Sequence, residues 1–140
     1  MRKLVYEKSC GAVIYAVSND KRLYLVERMK VGHFSLCKGH VESGETEHET
    51  AAREIMEETS LSVRFIDGFR ETTEYSPRPG TMKTVVFFLA ESDSTFTVPQ
   101  ECEVSEILWM DISSAVGTLT HESDRRILLA ADEFINRNYN

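Results

Sequence analysis

The chain has 140 residues and carries 16 Lys and Arg against 23 Asp and Glu, a formal charge of −7, which argues against a surface that neutralises nucleic-acid phosphates. Domains run roughly 100–200 residues, so a single domain over 1–140 is expected, and 41% hydrophobic residues supply its core without a staple. Cys10, Cys37 and Cys102 form no C-x-x-C pair, and no stretch is apolar for the roughly 18 residues of a membrane span or resembles a signal segment; reduced thiols, no membrane partner and a cytoplasmic location are the expectation.

In chain order, β-branched and apolar residues over Gly11 to Val17 and Leu23 to Val26 flank Ser18, Asn19 and Asp20, the pattern of a β-hairpin. His33 to Glu45 has neither period and predicts a loop; Thr46 to about Thr59 then predicts a helix. Leu61, Val63 and Phe65 alternate with polar residues and predict a strand. Tyr75 to Gly80, with two prolines, reads as a loop, and Thr84 to Ala90 as a buried strand. Ile107 to Met110 adds a short strand. Thr120 stands as the N-cap of a closing helix whose first turn holds Glu122 and Asp124, and Ile127, Ala131, Phe134 and Ile135 make its apolar stripe. Strands alternating with two substantial helices define a mixed α/β class.

The stretch Gly39 to Leu61 breaks the usual rules. On a helix Glu54 neighbours both Glu57 and Glu58, and each like-charge pair costs roughly 0.2–0.5 kcal/mol. Glu57 and Glu58 also sit near the helix C-terminus, where the dipole disfavours anions. Glu49, four residues before Arg53, offers partial compensation. One reading is a solvated acidic face; the other is a divalent cation, since Mg²⁺ takes hard oxygen ligands from carboxylates and substrate phosphates.

Gly39, Glu45, Arg53, Glu54, Ile55, Glu57, Glu58 and Leu61 stand at the spacing of the Nudix hydrolase signature, and the segment resembles it with one departure, Ser60 where the family has Gly. The resemblance implies a Nudix-type α/β/α sandwich with a mixed central sheet, a loop-helix-loop metal motif and a C-terminal helix. It implies Mg²⁺, or Mn²⁺, acting in the hydrolysis of nucleoside diphosphates linked to another group. By position, Glu57 and Glu58 would be metal ligands, Glu54 a ligand or the base that activates water, the Gly39 carbonyl a further ligand, and Arg53 and Glu45 supports for that geometry.

A second resemblance covers most of the chain. KGHVESGE from Lys38, GFRETTEY from Gly68, KTVVFFLAE from Lys83 and the late ECEVSEILW are similar to the asymmetric diadenosine tetraphosphate hydrolases, although Phe34 and Cys37 replace that family's usual Trp and Pro. It implies a late carboxylate on the metal side at Glu103, six residues before Trp109, with Glu101 and Glu106 as competitors that read as loop charges. Lys38 and His40 flank Gly39 and would reach bound phosphates with the loop folded as in that family, and Lys83 and Tyr75 match positions that meet the phosphate chain and a nucleobase. Lys83 equally reads as a solvated strand residue, Tyr75 as core packing and His40 as a bond within its own loop. Alternatives implied by the wider family are a house-cleaning triphosphate pyrophosphohydrolase, an RNA 5′-end pyrophosphohydrolase and a sensor that binds a small nucleotide without hydrolysis. Cys37 reads as a buried thiol, and Ala51, Ala52, Ile55 and Met56 as a stripe packed on the sheet.

Overall fold

A computed structural model describes residues 3–99 and 103–139. The central strand β1 (Val5–Ser18) turns through Asn19 and Asp20, both at positive φ, into the antiparallel β2 (Lys21–Met29). The short β3 (Phe34–Ser35) and β4 (Cys37–His40) precede α1 (Glu47–Thr59); β5 (Arg64–Tyr75), β6 (Thr81–Glu91), β7 (Val104–Met110), α2 (Ile112–Thr118) and α3 (Glu122–Asn138) follow. The sheet order is β3-β2-β1-β6-β5, with β7 on β2 and β4 on β1. One edge of β1 runs parallel to β6 from Val5 to Tyr15. The other edge is divided, Tyr15 to Ser18 pairing with β2 and Ser9 to Ala12 with β4.

Alternation along the strands gives the sheet two apolar faces. Val13, Tyr24, Val26, Phe87 and Leu89 pack with Ala115 of α2 and Ile127, Leu128 and Ala131 of α3. Cys10, Ile14, Leu25, Val86 and Phe88 pack on the opposite face with Ala51 and Ile55 of α1. The result is the expected α/β/α sandwich with a mixed sheet. Among the described residues no helix is long and apolar enough to cross a membrane.

Several local expectations are corrected. The predicted loop His33 to Glu45 contains β3 and β4, because pairing with β2 and β1 imposes extension on residues with no period of their own. Leu61 to Val63 lie outside the strand expected there; β5 starts at Arg64 and continues through the GFRETTEY segment across a bulge between Phe65 and Arg70. Helix α2 was not legible, being short, rich in Ser and β-branched residues, and dependent on the Asp111 cap, whose side chain accepts from the Ser114 amide. The N-cap of α3 is His121; the Thr120 hydroxyl instead accepts from the Phe34 amide at 2.8 Å. On α1, Ala52 and Met56 are exposed while Ala51 and Ile55 are fully buried, since successive helix positions lie about 100° apart.

The start of α1 is clipped to the sheet through Glu47, whose carboxylate accepts from Arg70 Nε and Nη2 at 2.9 and 2.8 Å and also pairs with Lys8. The Arg70 guanidinium, then Lys8, holds this carboxyl down to about 2 from an ordinary 4.5. A depressed carboxyl contributes stability that is complete above 4.5 and is lost as pH falls through 2. Glu47→Gln is therefore expected to cost roughly 1–2 kcal/mol at pH 7, discounted for partial exposure. Melting curves of the two proteins should converge between pH 4.5 and 2; a constant difference across that window would remove the ion pair as its cause.

Candidate active site

Helix α1 is delimited locally. The Thr46 hydroxyl accepts from the Glu49 amide at 3.1 Å, and the Glu49 carboxylate accepts from the Thr46 amide at 2.8 Å, a reciprocal capping box. At the other end Ser60 takes the left-handed conformation, φ 66°, normally given to Gly; its hydroxyl donates to the Val98 carbonyl at 3.0 Å and offsets part of the strain.

Arg53 is the hub of the helix's polar face. Its Nε donates to Glu45 Oε2 at 2.6 Å and Nη2 to Glu45 Oε1 at 3.0 Å; Nη1 donates to Glu54 at 2.9 Å and lies 3.3 Å from the Glu57 carboxylate. Nη2 also donates to the His40 carbonyl at 2.9 Å, tying α1 to β4. Glu45, not Glu49, is thus the partner of Arg53, because Glu49 is committed to the capping box. Glu45 also accepts from the Thr50 hydroxyl and the Glu42 amide, and these bonds, Arg53 first, hold its carboxyl down to about 2.

The acidic residues behind Arg53 sit in different surroundings. Glu57 is half-exposed, whereas Glu58 is 7% exposed and Glu54 is largely covered. Burial pushes the carboxyls of Glu54 and Glu58 up; Glu57 adds to the rise at Glu54, and Glu54 to that at Glu58. Gly39 lies directly against this cluster, and a Cβ there would fall inside the Glu54 carboxylate. Gly11 plays the matching part on β1, where a Cβ would overlap the Cys37 carbonyl oxygen. Two bare backbone positions let β4 lie between β1 and α1.

Two clefts share His33, Ser35 and Lys38; neither is lined by a residue of α1, and they adjoin it through β3, β4 and Glu27. One, about 410 Å³, is lined among others by Tyr75, His121 and Asp124; the second, about 420 Å³, by Glu27 and Glu103. Tyr75 ends β5 and is 41% exposed, so its ring is not committed to the core. Lys83 is half-buried; burial, then repulsion from Lys38, lowers its ammonium pKa, while Glu7 and Glu103 oppose the shift. Lys38 therefore lines both clefts, Tyr75 one and Glu103 the other, with Lys83 close enough to feel Lys38 and Glu103. His40 does not line them; it is exposed and contributes its carbonyl. Glu106, on β7, lines neither cleft and lies 3.8 Å from Arg28, and Glu101 and Cys102 lie outside the described residues.

Sequence reasoning missed two groups. Glu27 directly extends the apolar run ending at Val26 and is 1% exposed; a charge prolonging a buried run was the available signal. Asp124, placed as expected in the first turn of the closing helix, is 6% exposed, accepts from the Leu36 amide at 3.4 Å and has its carboxyl raised by burial.

A family model described as the NUDIX domain matches residues 8–131. The chain belongs to the Nudix family. Among curated Nudix relatives, the asymmetrical bis(5′-nucleosyl)-tetraphosphatase of Rattus norvegicus is 29% identical over 140 residues, covering 91% of this chain and 95% of the relative. The NAD-capped RNA hydrolase NudC of Vibrio atlanticus is 30% identical over 128 residues, 86% of this chain but only 46% of its own; against the first relatives matched, this Nudix chain spans less than half of their length. A C. elegans Ap4A hydrolase binary complex superposes with a TM-score of 0.85 at 25% identity, covering 94% of this chain and 98% of that one.

Proposed function

We propose that this Nudix chain hydrolyses a phosphoanhydride bond of a nucleoside polyphosphate, and that its substrate is a bis(5′-nucleosyl) tetraphosphate cut asymmetrically into a mono- and a triphosphate. The observation that carries this reading is the end-to-end correspondence with the rat tetraphosphatase. The shared position of Lys38 between two clefts supports it by offering a phosphate chain a positive seat. The proposed setting is cytoplasmic, which the free thiols of Cys10 and Cys37 support.

The residues fit a divalent cation, Mg²⁺ or Mn²⁺. Carboxylates that raise one another's pKa are concentrated around a backbone left bare at Gly39, and hard oxygen donors suit such an ion. Glu57, Glu58 and the Gly39 carbonyl are proposed as ligands, Glu54 as ligand or base, and Glu103 as a late carboxylate on the metal side. A cation held there supplies charge to the phosphates and acidifies water. Arg53 and Glu45 hold Glu54 and Glu57 in place. Lys38 and Lys83 meet phosphate charge, with the His40 segment beside them, and Tyr75 stacks on a base.

Incubation with a nucleotide panel and Mg²⁺, followed by chromatography, tests the reading. Unequal products from a dinucleoside tetraphosphate are expected. Two diphosphates, or turnover confined to nucleoside triphosphates or capped RNA, would replace the substrate assignment.

Tyr75→Ala is expected to weaken substrate binding by about 1–3 kcal/mol, a factor of roughly 5–150 in KM where KM tracks binding. Tyr75→Phe should be nearly harmless because stacking uses the ring. kcat should fall less than KM rises, since a remote base contact is uniform binding. A lowered Tm with unchanged KM would remove Tyr75 from the site.

A further inference from the structure

Where β2, β4 and the last turn of α1 meet, three groups converge that the polyphosphate reading does not use together. Glu27 and Cys37 are each 1% exposed and Glu58 is 7% exposed. One carboxylate oxygen each from Glu27 and Glu58 and the Cys37 sulfur all lie within 4.8 Å of one another. Cys37 Sγ donates to Glu58 Oε1 at 3.1 Å. Glu27 Oε2 is fully buried and has no hydrogen-bond partner. A buried carboxylate oxygen left unmet is costly, and a second buried carboxylate beside it adds repulsion. Burial, together with Glu58, pushes both the Glu27 carboxyl and the Cys37 thiol up.

We propose that Glu27, Cys37 and Glu58 form a site for a thiophilic divalent cation of the Zn²⁺ or Co²⁺ class, sharing Glu58 with the oxygen-ligated Mg²⁺ position but differing from it in ligand chemistry. A sulfur donor selects such ions over Mg²⁺, which takes oxygen ligands. Bonds of about 2.0–2.3 Å in a tetrahedron set ligand atoms roughly 3.3–3.7 Å apart, so the three donors need only small movements to converge. Access comes from the cleft that Glu27 lines with Lys38 and Glu103, and an oxygen entering from it completes the coordination. Two deprotonated acids and a thiolate around a dication carry one net negative charge, which Lys38 in the adjoining cleft opposes, and the oxygen that the protein alone leaves unpartnered gains a ligand bond. The competing arrangement is a proton shared between Glu27 and Glu58.

The test needs no nucleotide, so it is independent of the hydrolytic reading. Chelator-treated protein is titrated with Co²⁺ and followed by absorption. A stoichiometric thiolate-to-cobalt charge-transfer band in the near ultraviolet is expected, displaced by Zn²⁺ but not by excess Mg²⁺. Cys37→Ser should abolish the band, and Cys10→Ser and Cys102→Ser should retain it. The isosteric Glu27→Gln, which keeps the assay decisive should Cys37→Ser fail to fold, is expected to weaken Co²⁺ binding by at least about 10–100-fold, the range already found when a group that only supports a ligand is lost. A parent protein without the band, a band that survives in folded Cys37→Ser, or unchanged affinity in Glu27→Gln would overturn the site; the first of these is the outcome that the shared proton predicts.

Discussion

Replacing Arg53 by lysine is expected to lower kcat by about two to three orders of magnitude, or roughly 3–4 kcal/mol of barrier, and to lower the melting temperature with it. The guanidinium serves Glu45 bidentately, Glu54, Glu57 and the His40 carbonyl from one plane. An ammonium presents its donors from a single point and cannot reproduce that fork. With lysine, Glu45 keeps the Thr50 hydroxyl and Glu42 amide, whereas Glu54, largely covered and already raised by desolvation, loses the group that chiefly opposes the rise. The acidic cluster should therefore loosen where α1 faces β4, and kcat should fall more than KM rises, because Arg53 positions other groups. Arg53→Ala should show the same kinetic defect with a larger loss of Tm. Parental kcat in folded Arg53→Lys would remove the positioning role.

Glu58→Gln and Glu57→Gln are each expected to cut Mg²⁺-dependent turnover by about 10²-fold or more, at least roughly 2.7 kcal/mol of barrier, yet to move metal-free stability differently. Glu58 is buried beside Glu27, and burial raises its carboxyl. A carboxyl raised in the fold destabilises it once ionised, so removing the charge should raise the metal-free Tm at neutral pH. That gain should vanish as pH falls below the ordinary 4.5, where both proteins are neutral at this position. The amide oxygen of glutamine can still accept from Cys37. Glu57 is half-exposed and 3.3 Å from Arg53, so Glu57→Gln should change metal-free stability by no more than about 0.5 kcal/mol. Mg²⁺ should raise the Tm of the parent and fail to raise that of either variant. Parental turnover in these variants would sink the assignment of Glu57 and Glu58 as ligands.

What was legible in the sequence is what acts over a few residues. The composition of Thr46 to about Thr59 predicts a helix, and the spacing of Arg53, Glu54, Glu57 and Glu58 places them on adjoining helix positions whatever the rest of the chain does; the capping box of Thr46 and Glu49, equally local, is hidden by the reading of Glu49 as the partner of Arg53. The run Thr84 to Ala90 declares a buried strand by its apolarity, and Asn19 and Asp20 carry their own turn chemistry. A helix turns sequence spacing directly into spatial spacing, which makes these carboxylates neighbours, while the resemblance to the Nudix signature is what makes them a candidate metal site.

The tertiary structure decided the choices among partners that local rules leave equivalent. Glu45 and Glu49 are both candidates for Arg53, and the path of the chain through β4 and its following loop brings Glu45 to the guanidinium while Glu49 turns to the cap. Strand β4 has no periodic signal; it exists because Ser9 to Ala12 of β1 offer an open edge and Gly11 admits the Cys37 carbonyl. That pairing places Cys37 beside Glu58, and the register of β2 turns Glu27 toward the same corner. Sequence by itself determined the helix that carries the carboxylates, because helix-forming composition and helical spacing are local; only the tertiary structure decided which of those carboxylates are buried and what faces them, because strand pairing joins residues that no local interaction connects.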